Sequence, residues 1–217
     1  MKIGVIGSGM IGGTLARRLV ELGHDVTISN SRGPQTLTET AKETGAAAGT
    51  VADAIAGADV LVLAVPLKAV PALPLGSLAG TVIIDTDNYY PRRDGTIDDI
   101  AQKRKTSARW TAEHAPGAHV VKVFNTIYFK NILDKAQPAG TAGRIALPVA
   151  ADDATAKQTV SDLVDAIGFD PVDAGPLDES WRQEPDTPVY GADLDRAGVE
   201  STFAAAQRLS CYYCANS

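Results

Sequence analysis

Three glycines near the start of the chain have the spacing of a turn that binds phosphate groups. Gly7, Gly9 and Gly12 follow a short apolar run at residues 3–6, and apolar residues at helical spacing follow them. In such a strand–turn–helix unit, the first glycine permits the tight turn, the second lets the backbone approach a pyrophosphate, and the third allows close helix–strand packing. The N–H groups of the first helical turn then face the phosphates. The sequence therefore predicts a dinucleotide-binding turn formed by Gly7, Ser8, Gly9, Met10, Ile11 and Gly12.

The residues after the next predicted strand, at 25–29, indicate which dinucleotide would bind. At this point, about 20 residues beyond the glycine turn, NAD-specific enzymes carry an acidic residue that accepts hydrogen bonds from the ribose hydroxyls. Here Ser31 and Arg32 follow the strand, and no acid stands beside them. Their donors suit a 2′-phosphate, and Arg32 would add a charge-assisted contact. The sequence therefore favours NADP(H) over NAD(H).

The elements that must position these residues alternate between strand and helix. Continuous apolar runs at 59–65, 81–85 and 119–124 are typical of parallel strands covered on both faces. A helix is predicted over 34–44, and a helix between strands at 145–150 and 169–173 could be capped by Asp152 or Asp153. A last helix is predicted over 193–209. We therefore predict an α/β fold, with a Rossmann-type doubly wound parallel sheet in residues 1–125 and a small C-terminal α+β lobe in residues 126–217.

Composition limits the partners of the chain. The 217 residues carry a formal net charge of −6, which gives no electrostatic attraction to nucleic acid or to anionic membranes. No apolar run reaches the ~18 residues that span a bilayer, and Met1 and Lys2 lead directly into the first predicted strand. A cytoplasmic location is therefore expected. Cys211 and Cys214 lack the strand-to-helix setting of a redox pair and are interpreted as tail sequence.

Three segments of the sequence together form a pattern that is more specific than the glycine turn alone. The first is the glycine turn with the Ser31-Arg32 pair that follows it. The others are Val123-Phe124-Asn125-Thr126-Ile127 and the run from Gly168 to Leu177, whose Asp-Ala-Gly-Pro-Leu end is the most specific piece. In these segments the chain resembles the coenzyme F420-dependent NADP reductases and the cytosolic NADPH–flavin domains of six-transmembrane metalloreductases. The resemblance extends from residue 2 to about residue 181, and the remaining residues match poorly.

This resemblance implies a site for two cofactors. NADPH would lie over the sheet, and a deazaflavin (F420) or flavin (FAD or FMN) ring would stack on its nicotinamide. By position, Ser31 and Arg32 would hold the 2′-phosphate and Pro66 would lie near the nicotinamide. The ring pocket would be lined by Asn125, Thr126, Ile127, Gly175, Pro176 and Leu177. A homodimer through the C-terminal helices is implied by the resemblance alone.

One position leaves the second cofactor open. The archaeal deazaflavin enzymes carry a histidine where this chain has Asn125, whereas the metalloreductase domains carry Phe-Asn, as does this chain at Phe124-Asn125. The implied activity is hydride transfer between NADPH and the second ring. No catalytic acid or base and no metal is expected, because the cofactors carry the reactive chemistry.

Two other functions fit the glycine turn. A reductase of a small organic carbonyl or imine starts with the same turn but needs a long, all-helical second domain. A non-catalytic NADP sensor needs the turn and no ring pocket. Residues 87–91 follow a predicted strand at its carboxyl end, where ligands bind in open α/β sheets, and either line the site or form a plain loop.

Overall fold

The apolar runs of the sequence form the strands of one mostly parallel sheet. A computed structural model describes residues 1–207 of the protein. The strands are β1 (Lys2–Ile6), β2 (Asp25–Ser29), β3 (Ala47–Gly49), β4 (Val60–Leu63), β5 (Val82–Asp85), β6 (His119–Lys122), β7 (Ala146–Ala151) and β8 (Asp170–Asp173). Their order is β3-β2-β1-β4-β5-β6-β7-β8, and all neighbours are parallel except β6 and β7.

Helices connect the strands and cover the sheet. They are α1 (Met10–Glu21), α2 (Thr38–Thr44), α3 (Val51–Ile55), α4 (Pro91–Asp94), α5 (Asp98–Ala101), α6 (Ser107–Glu113), α7 (Phe129–Asp134), α8 (Ala154–Ile167) and α9 (Arg196–Ala205). Short 3₁₀ turns lie at Pro34–Thr36, Leu67–Ala72, Leu75–Ser77 and Leu177–Gln183. Within residues 1–207, no helix combines the length and the apolar character that crossing a membrane needs.

Both faces of the sheet are buried, as the continuous apolar strands predict. Along β4, Val60 and Val62 belong to one core cluster, and Leu61 and Leu63 belong to another. The first cluster includes residues of α1 and α8, and the second includes Ala108 of α6. Because successive side chains of a strand point to opposite faces, this division places helices on both sides. The predicted Rossmann-type α/β fold is therefore confirmed.

The structure differs from the sequence prediction in detail. β3 was not predicted, because Ala47 and Ala48 are exposed and Ala47–Gly49 is too short to form an apolar run. Residues 34–44 divide into a 3₁₀ turn and α2, with Leu37 between them. Asp153 caps α8 by accepting a hydrogen bond from the Ala156 N–H (2.7 Å). Cys211, Cys214 and the end of the last predicted helix lie outside the described residues.

The C-terminal part of the chain extends the sheet of the N-terminal part. β7 pairs with β6, and β8 pairs with β7, so the predicted lobe has no separate sheet within the described residues. Ile127 and Phe169 belong to the same core cluster as Ile3 and Val5. The division at residue 125 stays a prediction about the organisation of the chain.

Two glycines of the turn after β1 are required by packing. Gly7 has a φ of 112°, and a Cβ there would lie 2.1 Å from the Ala64 carbonyl oxygen. A Cβ on Gly12 would lie 1.9 Å from the Gly7 carbonyl oxygen. Both obstacles are backbone atoms, which cannot turn aside as a side chain can. The fold therefore fixes the close approach of α1 to β1 and β4.

We expect Gly12→Ala to lower the free energy of unfolding, because the new methyl group overlaps backbone that cannot move away. Overpacking of this kind costs about 1–3 kcal/mol, more than alanine gains in helix propensity. Urea unfolding followed by circular dichroism measures the change. Gly13→Ala is the matched control, since a Cβ on Gly13 meets no atom within 4 Å, and we expect it to be neutral or stabilising. Equal effects of the two substitutions would contradict the packing constraint.

Candidate functional site

A cleft of about 450 Å³ opens at the carboxyl ends of the central strands. Its walls come from the start of α1 and from the loops after β4, β5 and β6. Tyr190 and Gly191, from the segment that precedes α9, complete its lining. Because the strands are parallel, their carboxyl ends meet at one edge of the sheet, which is where open α/β folds bind ligands.

One end of the cleft is the N-terminus of α1. The N–H groups of Met10, Ile11 and Gly12 have no acceptor within residues 1–207, and no side chain caps the helix. A Cβ on Gly9 would meet no atom within 4 Å, so nothing in the folded chain itself demands a glycine there. Free N–H donors beside an open backbone suit a pyrophosphate. The residues at this end therefore fit a dinucleotide.

The loop after β2 lies beside this turn. The Asn30 Nδ2 donates to Ser8 Oγ (3.2 Å) and to Thr36 Oγ1 (2.9 Å), and the Arg32 N–H donates to Asn30 Oδ1 (2.9 Å). Ser31 and Arg32 are exposed, and the Arg32 guanidinium has no partner within residues 1–207. Asn30, which was not identified from the sequence, thus ties the Arg32 loop to the glycine turn.

The middle of the cleft is formed by the loops after β4 and β6. Pro66 lines it on one side, and Asn125, Thr126 and Ile127 line it on another. Phe124 precedes them with a φ of 62° and is buried, an unusual backbone for a bulky residue that is often found at functional sites. The structure therefore brings together Gly9, Met10 and Ile11 of the glycine turn with Pro66 and the 125–127 loop.

Asn125 also belongs to a buried amide network. Its Nδ2 donates to Asn88 Oδ1 (3.1 Å) and to the Gln183 carbonyl (2.6 Å), and its Oδ1 accepts from Gln183 Nε2 (2.9 Å). Asn88 Nδ2 donates back to the Asn125 carbonyl (2.9 Å). These bonds hold the loops after β5 and β6 and the end of the 3₁₀ turn Leu177–Gln183 together.

The turn Gly175-Pro176-Leu177 lies outside the cleft. Leu177 is buried in the core cluster that includes α6, and its carbonyl accepts a hydrogen bond from Thr106 Oγ1 (2.9 Å). Its N–H donates to Asp152 Oδ1 (3.0 Å), so Asp152 fastens this turn instead of capping α8. The position of this turn does not fit the ring-lining role that the resemblance implies, because Leu177 faces the core between the sheet and α6.

The cleft is also lined by part of the run 87–91, which the sequence left open as site or plain loop, and by residues that were not identified from the sequence. Within the run 87–91, Asp87, Asn88 and Tyr90 line it, whereas Tyr89 donates its hydroxyl to the Gly95 carbonyl outside it. Arg93, Tyr128, Phe129, Tyr190 and Gly191 also line it. The carboxyl end of β5 was a usable signal for the first group. No sequence pattern marks Tyr190, because it reaches the cleft only through the fold.

A charged cluster is buried beneath the cleft. Lys122 Nζ lies 3.3 Å from Asp85 Oδ1 and also donates to the Asp87 carbonyl, and the Lys122 and Asp85 side chains are fully buried. Asp87 Oδ1 accepts from the Val65 N–H (2.8 Å), while the Oδ2 atoms of both aspartates have no partner within residues 1–207. Burial, reinforced by the neighbouring Asp85, raises the pKa of Asp87 well above its usual range, although Lys122 opposes this. The cluster therefore places a buried charged pair and a carboxyl group of raised pKa next to the site.

Comparison with known proteins shows which proteins this chain is similar to. Residues 2–89 match a family described as NADP oxidoreductase, coenzyme F420-dependent. The metalloreductase STEAP3 of Rattus norvegicus is 30% identical over 184 residues, which cover 81% of this chain and 34% of STEAP3. The chain thus spans about a third of the length of this curated relative.

Two solved structures share the fold over most of their length. The hypothetical protein SMa0349 from Sinorhizobium meliloti is 30% identical with a TM-score of 0.77, and the match covers 90% of this chain and 96% of that one. A protein from Arthrobacter sp. FB24, provisionally described as an F420-dependent NADP reductase, is 29% identical with a TM-score of 0.71, covering 84% and 87%. The structural similarity therefore extends well beyond residue 89.

We expect Gly9→Val to abolish dinucleotide binding and to leave the fold intact. The branched side chain would fill the space in front of the free N–H groups of α1, and no atom of the chain lies within 4 Å of the new Cβ. Calorimetric titration with NADPH measures binding, and circular dichroism measures folding. Gly13→Ala, also in open space, is the control and should bind as the wild type does. Near-native affinity in Gly9→Val would contradict the site.

We expect Asp87→Asn to change how stability depends on pH. Because the pKa of Asp87 is raised in the folded state above 3.8, this group favours folding below that pH. Its contribution is lost as the pH rises through the raised pKa, so the variant should gain on the wild type with increasing pH. Urea unfolding between about pH 4 and about pH 9 measures the difference.

The exposed Asp25 provides the control for this experiment, because Asp25→Asn makes the same chemical change at a carboxylate that is not buried. A wild-type advantage over Asp87→Asn that grows with pH would show that Asp87 is ionised and stabilised in the folded protein, which is the opposite of the expected direction.

Proposed function

We propose that this chain, whose residues 2–89 match the NADP oxidoreductase family that depends on coenzyme F420, transfers a hydride between NADPH and a deazaflavin or flavin ring. The observation that carries this proposal is a single cleft that runs from the open N-terminus of α1 to the aromatic residues Tyr90 and Tyr190. Its volume of about 450 Å³ lies in the range of small-molecule sites.

The glycine turn and the loop after β2 would bind the NADP end. The N–H groups of Met10, Ile11 and Gly12 would donate to the pyrophosphate, and Gly9 would allow its approach. Ser31 and Arg32 would donate to the 2′-phosphate, for which the unpartnered guanidinium of Arg32 is suited. Asn30 would hold this loop in register with Ser8.

The remaining residues would orient the two rings and exclude water. When bound, NADPH supplies the hydride and the second ring accepts it, so the protein need not supply reactive groups of its own. Pro66 would contact the nicotinamide, and Asn125, Thr126 and Ile127 would form the opposite wall. Holding two reactants in a fixed orientation can provide about 7–11 kcal/mol of the barrier reduction.

Three finer expectations stay predictions. F420, FAD and FMN are all retained as second cofactors, because Asn125 matches one group of relatives and departs from the other. A homodimer rests on the resemblance, and a cytoplasmic location rests on the composition of the sequence.

We expect Arg32→Ala to weaken NADPH binding and to leave NADH binding almost unchanged. A charge-assisted hydrogen bond contributes about 1.5–3 kcal/mol, which corresponds to a loss of roughly 10- to 100-fold in affinity for NADPH alone. Calorimetric titration with both cofactors measures the difference. Arg17→Ala is the control, because this arginine pairs with Glu21 (2.9 Å) on the exposed face of α1. Equal losses for NADPH and NADH in Arg32→Ala would contradict the role of Arg32.

We expect NADPH to be oxidised when F420, FMN or FAD is supplied as the acceptor. Absorbance at the nicotinamide band, with each ring in turn and with a small carbonyl and an imine for comparison, measures the rate. Tight NADPH binding without turnover on any ring would favour a sensor. Turnover on the carbonyl or imine alone would favour the organic reductase.

A further inference from the structure

Two tyrosines meet at the end of the cleft that lies away from the glycine turn. Tyr90 follows β5, and Tyr190 lies in the segment between the 3₁₀ turn Leu177–Gln183 and α9. Their hydroxyl groups are hydrogen-bonded to each other, and both rings are half-buried and line the cleft. The Gly191 N–H donates to the Thr126 carbonyl (2.8 Å), which fixes the Tyr190 segment to the loop after β6.

The hydrogen bond between the two hydroxyl groups uses only one of their two protons. Two hydroxyls carry two protons, and one of them lies between the two oxygens. The other has no acceptor within residues 1–207. Among the neighbouring polar groups of the cleft, Thr86 Oγ1 donates to the Leu63 carbonyl (2.8 Å) and Asp87 Oδ1 accepts from the Val65 N–H (2.8 Å), whereas Asp87 Oδ2 has no partner within residues 1–207. The tyrosine pair therefore offers a donor to whatever occupies this end of the cleft.

The donor is neutral. Burial raises the pKa of the Tyr190 hydroxyl, and the hydrogen bond to Tyr90 raises it further. Arg93, whose guanidinium lies 4.9 Å from the centre of the Tyr90 ring, opposes this rise but is paired with the buried Asp94 (2.9 Å). Asp186 adds to the rise. A neutral hydroxyl suits a neutral acceptor atom, such as a carbonyl oxygen, better than a phosphate.

The position of the pair points to the hydride acceptor. Neighbouring strands lie about 4.8 Å apart, and β5 is two places from β1 in the sheet. The loop that follows β5 therefore starts roughly 10 Å from the glycine turn. Pro66, at the end of the intervening β4, is where the nicotinamide would lie under the proposed function. The ring that faces the nicotinamide would then reach the loop of Tyr90.

We propose that the Tyr90–Tyr190 hydroxyl pair donates a hydrogen bond to a carbonyl oxygen of the dione-bearing acceptor ring and thereby selects the acceptor. This rests on the proposed function. Deazaflavin and flavin rings share a pyrimidinedione edge whose carbonyl oxygens are acceptors, while the rest of the ring is apolar enough to lie against Tyr90, Tyr128 and Phe129.

Two tricyclic probes test the hydrogen bond. Lumiflavin carries the dione, and acridine, neutral at mildly alkaline pH, has a similar three-ring shape without a carbonyl. Fluorescence titration measures the dissociation constant of each probe, with and without NADP⁺. In Tyr90→Phe/Tyr190→Phe we expect lumiflavin to bind about 3- to 10-fold more weakly and acridine to bind as it does to the wild type. Each single variant should lose less, because the remaining hydroxyl keeps a proton to donate.

Tyr89→Phe is the matched control, since it removes a hydroxyl from the same loop outside the cleft and should change neither probe. Equal weakening of both probes in the double variant would show that the pair only braces the loop, and unchanged lumiflavin binding would show that it makes no bond to the ring. Both results overturn the inference. Failure of the wild type to bind NADPH would instead overturn the proposed function. That outcome is distinguishable, because the two probe affinities are also measured in the absence of the nicotinamide cofactor.

Discussion

The close contact between α1 and the ends of β1 and β4 is the constraint on which the site depends. A side chain on Gly7 or Gly12 would overlap backbone atoms at about 2 Å, so the turn after β1 can form only where neither residue has a Cβ. This contact brings the N-terminus of α1 directly beside Pro66, at the end of β4. Gly9 is different, because packing leaves space around it. In this turn, Gly7 and Gly12 are thus required by the packing of the fold, whereas Gly9 leaves room for a ligand.

The polar residues beneath the cleft form a second layer that keeps the loops in place. Lys122 and Asp85 are buried together under the ends of β5 and β6, and the amides of Asn88, Asn125 and Gln183 bond to one another above them. Buried polar groups of this kind are costly unless they are paired, and here most of their capacity is used within the protein. The walls of the cleft are therefore held by hydrogen bonds as well as by apolar packing.

Local patterns predicted the fold and drew attention to the glycine turn and the loop after β2, whereas the end of the cleft at Tyr90 and Tyr190 depends on long-range contacts. The glycine spacing and the apolar strands are readable within short windows, because turn geometry and burial on both faces act on neighbouring residues. Tyr190 reaches Tyr90 across 100 positions of the chain, and no periodicity carries that information. For Leu177, the resemblance implied a position in the ring pocket, but its side chain packs in the core. The Ser31 and Arg32 loop lies where the pattern predicts, but Asn30, which holds it there, was visible only in the structure.

The hydrogen bonds of Asn125 affect whether its residue type can indicate which second ring binds. Both polar atoms of its side chain are hydrogen-bonded to Asn88 or Gln183. The side-chain amide therefore holds the loops together. A histidine at this position could not reproduce those three bonds, because a neutral imidazole has one donor and one acceptor. In this chain, the identity of residue 125 therefore bears on how the loops after β5 and β6 are joined. Under the proposed function, discrimination between acceptor rings would fall to side chains that keep a free donor at the cleft, such as the Tyr90–Tyr190 pair.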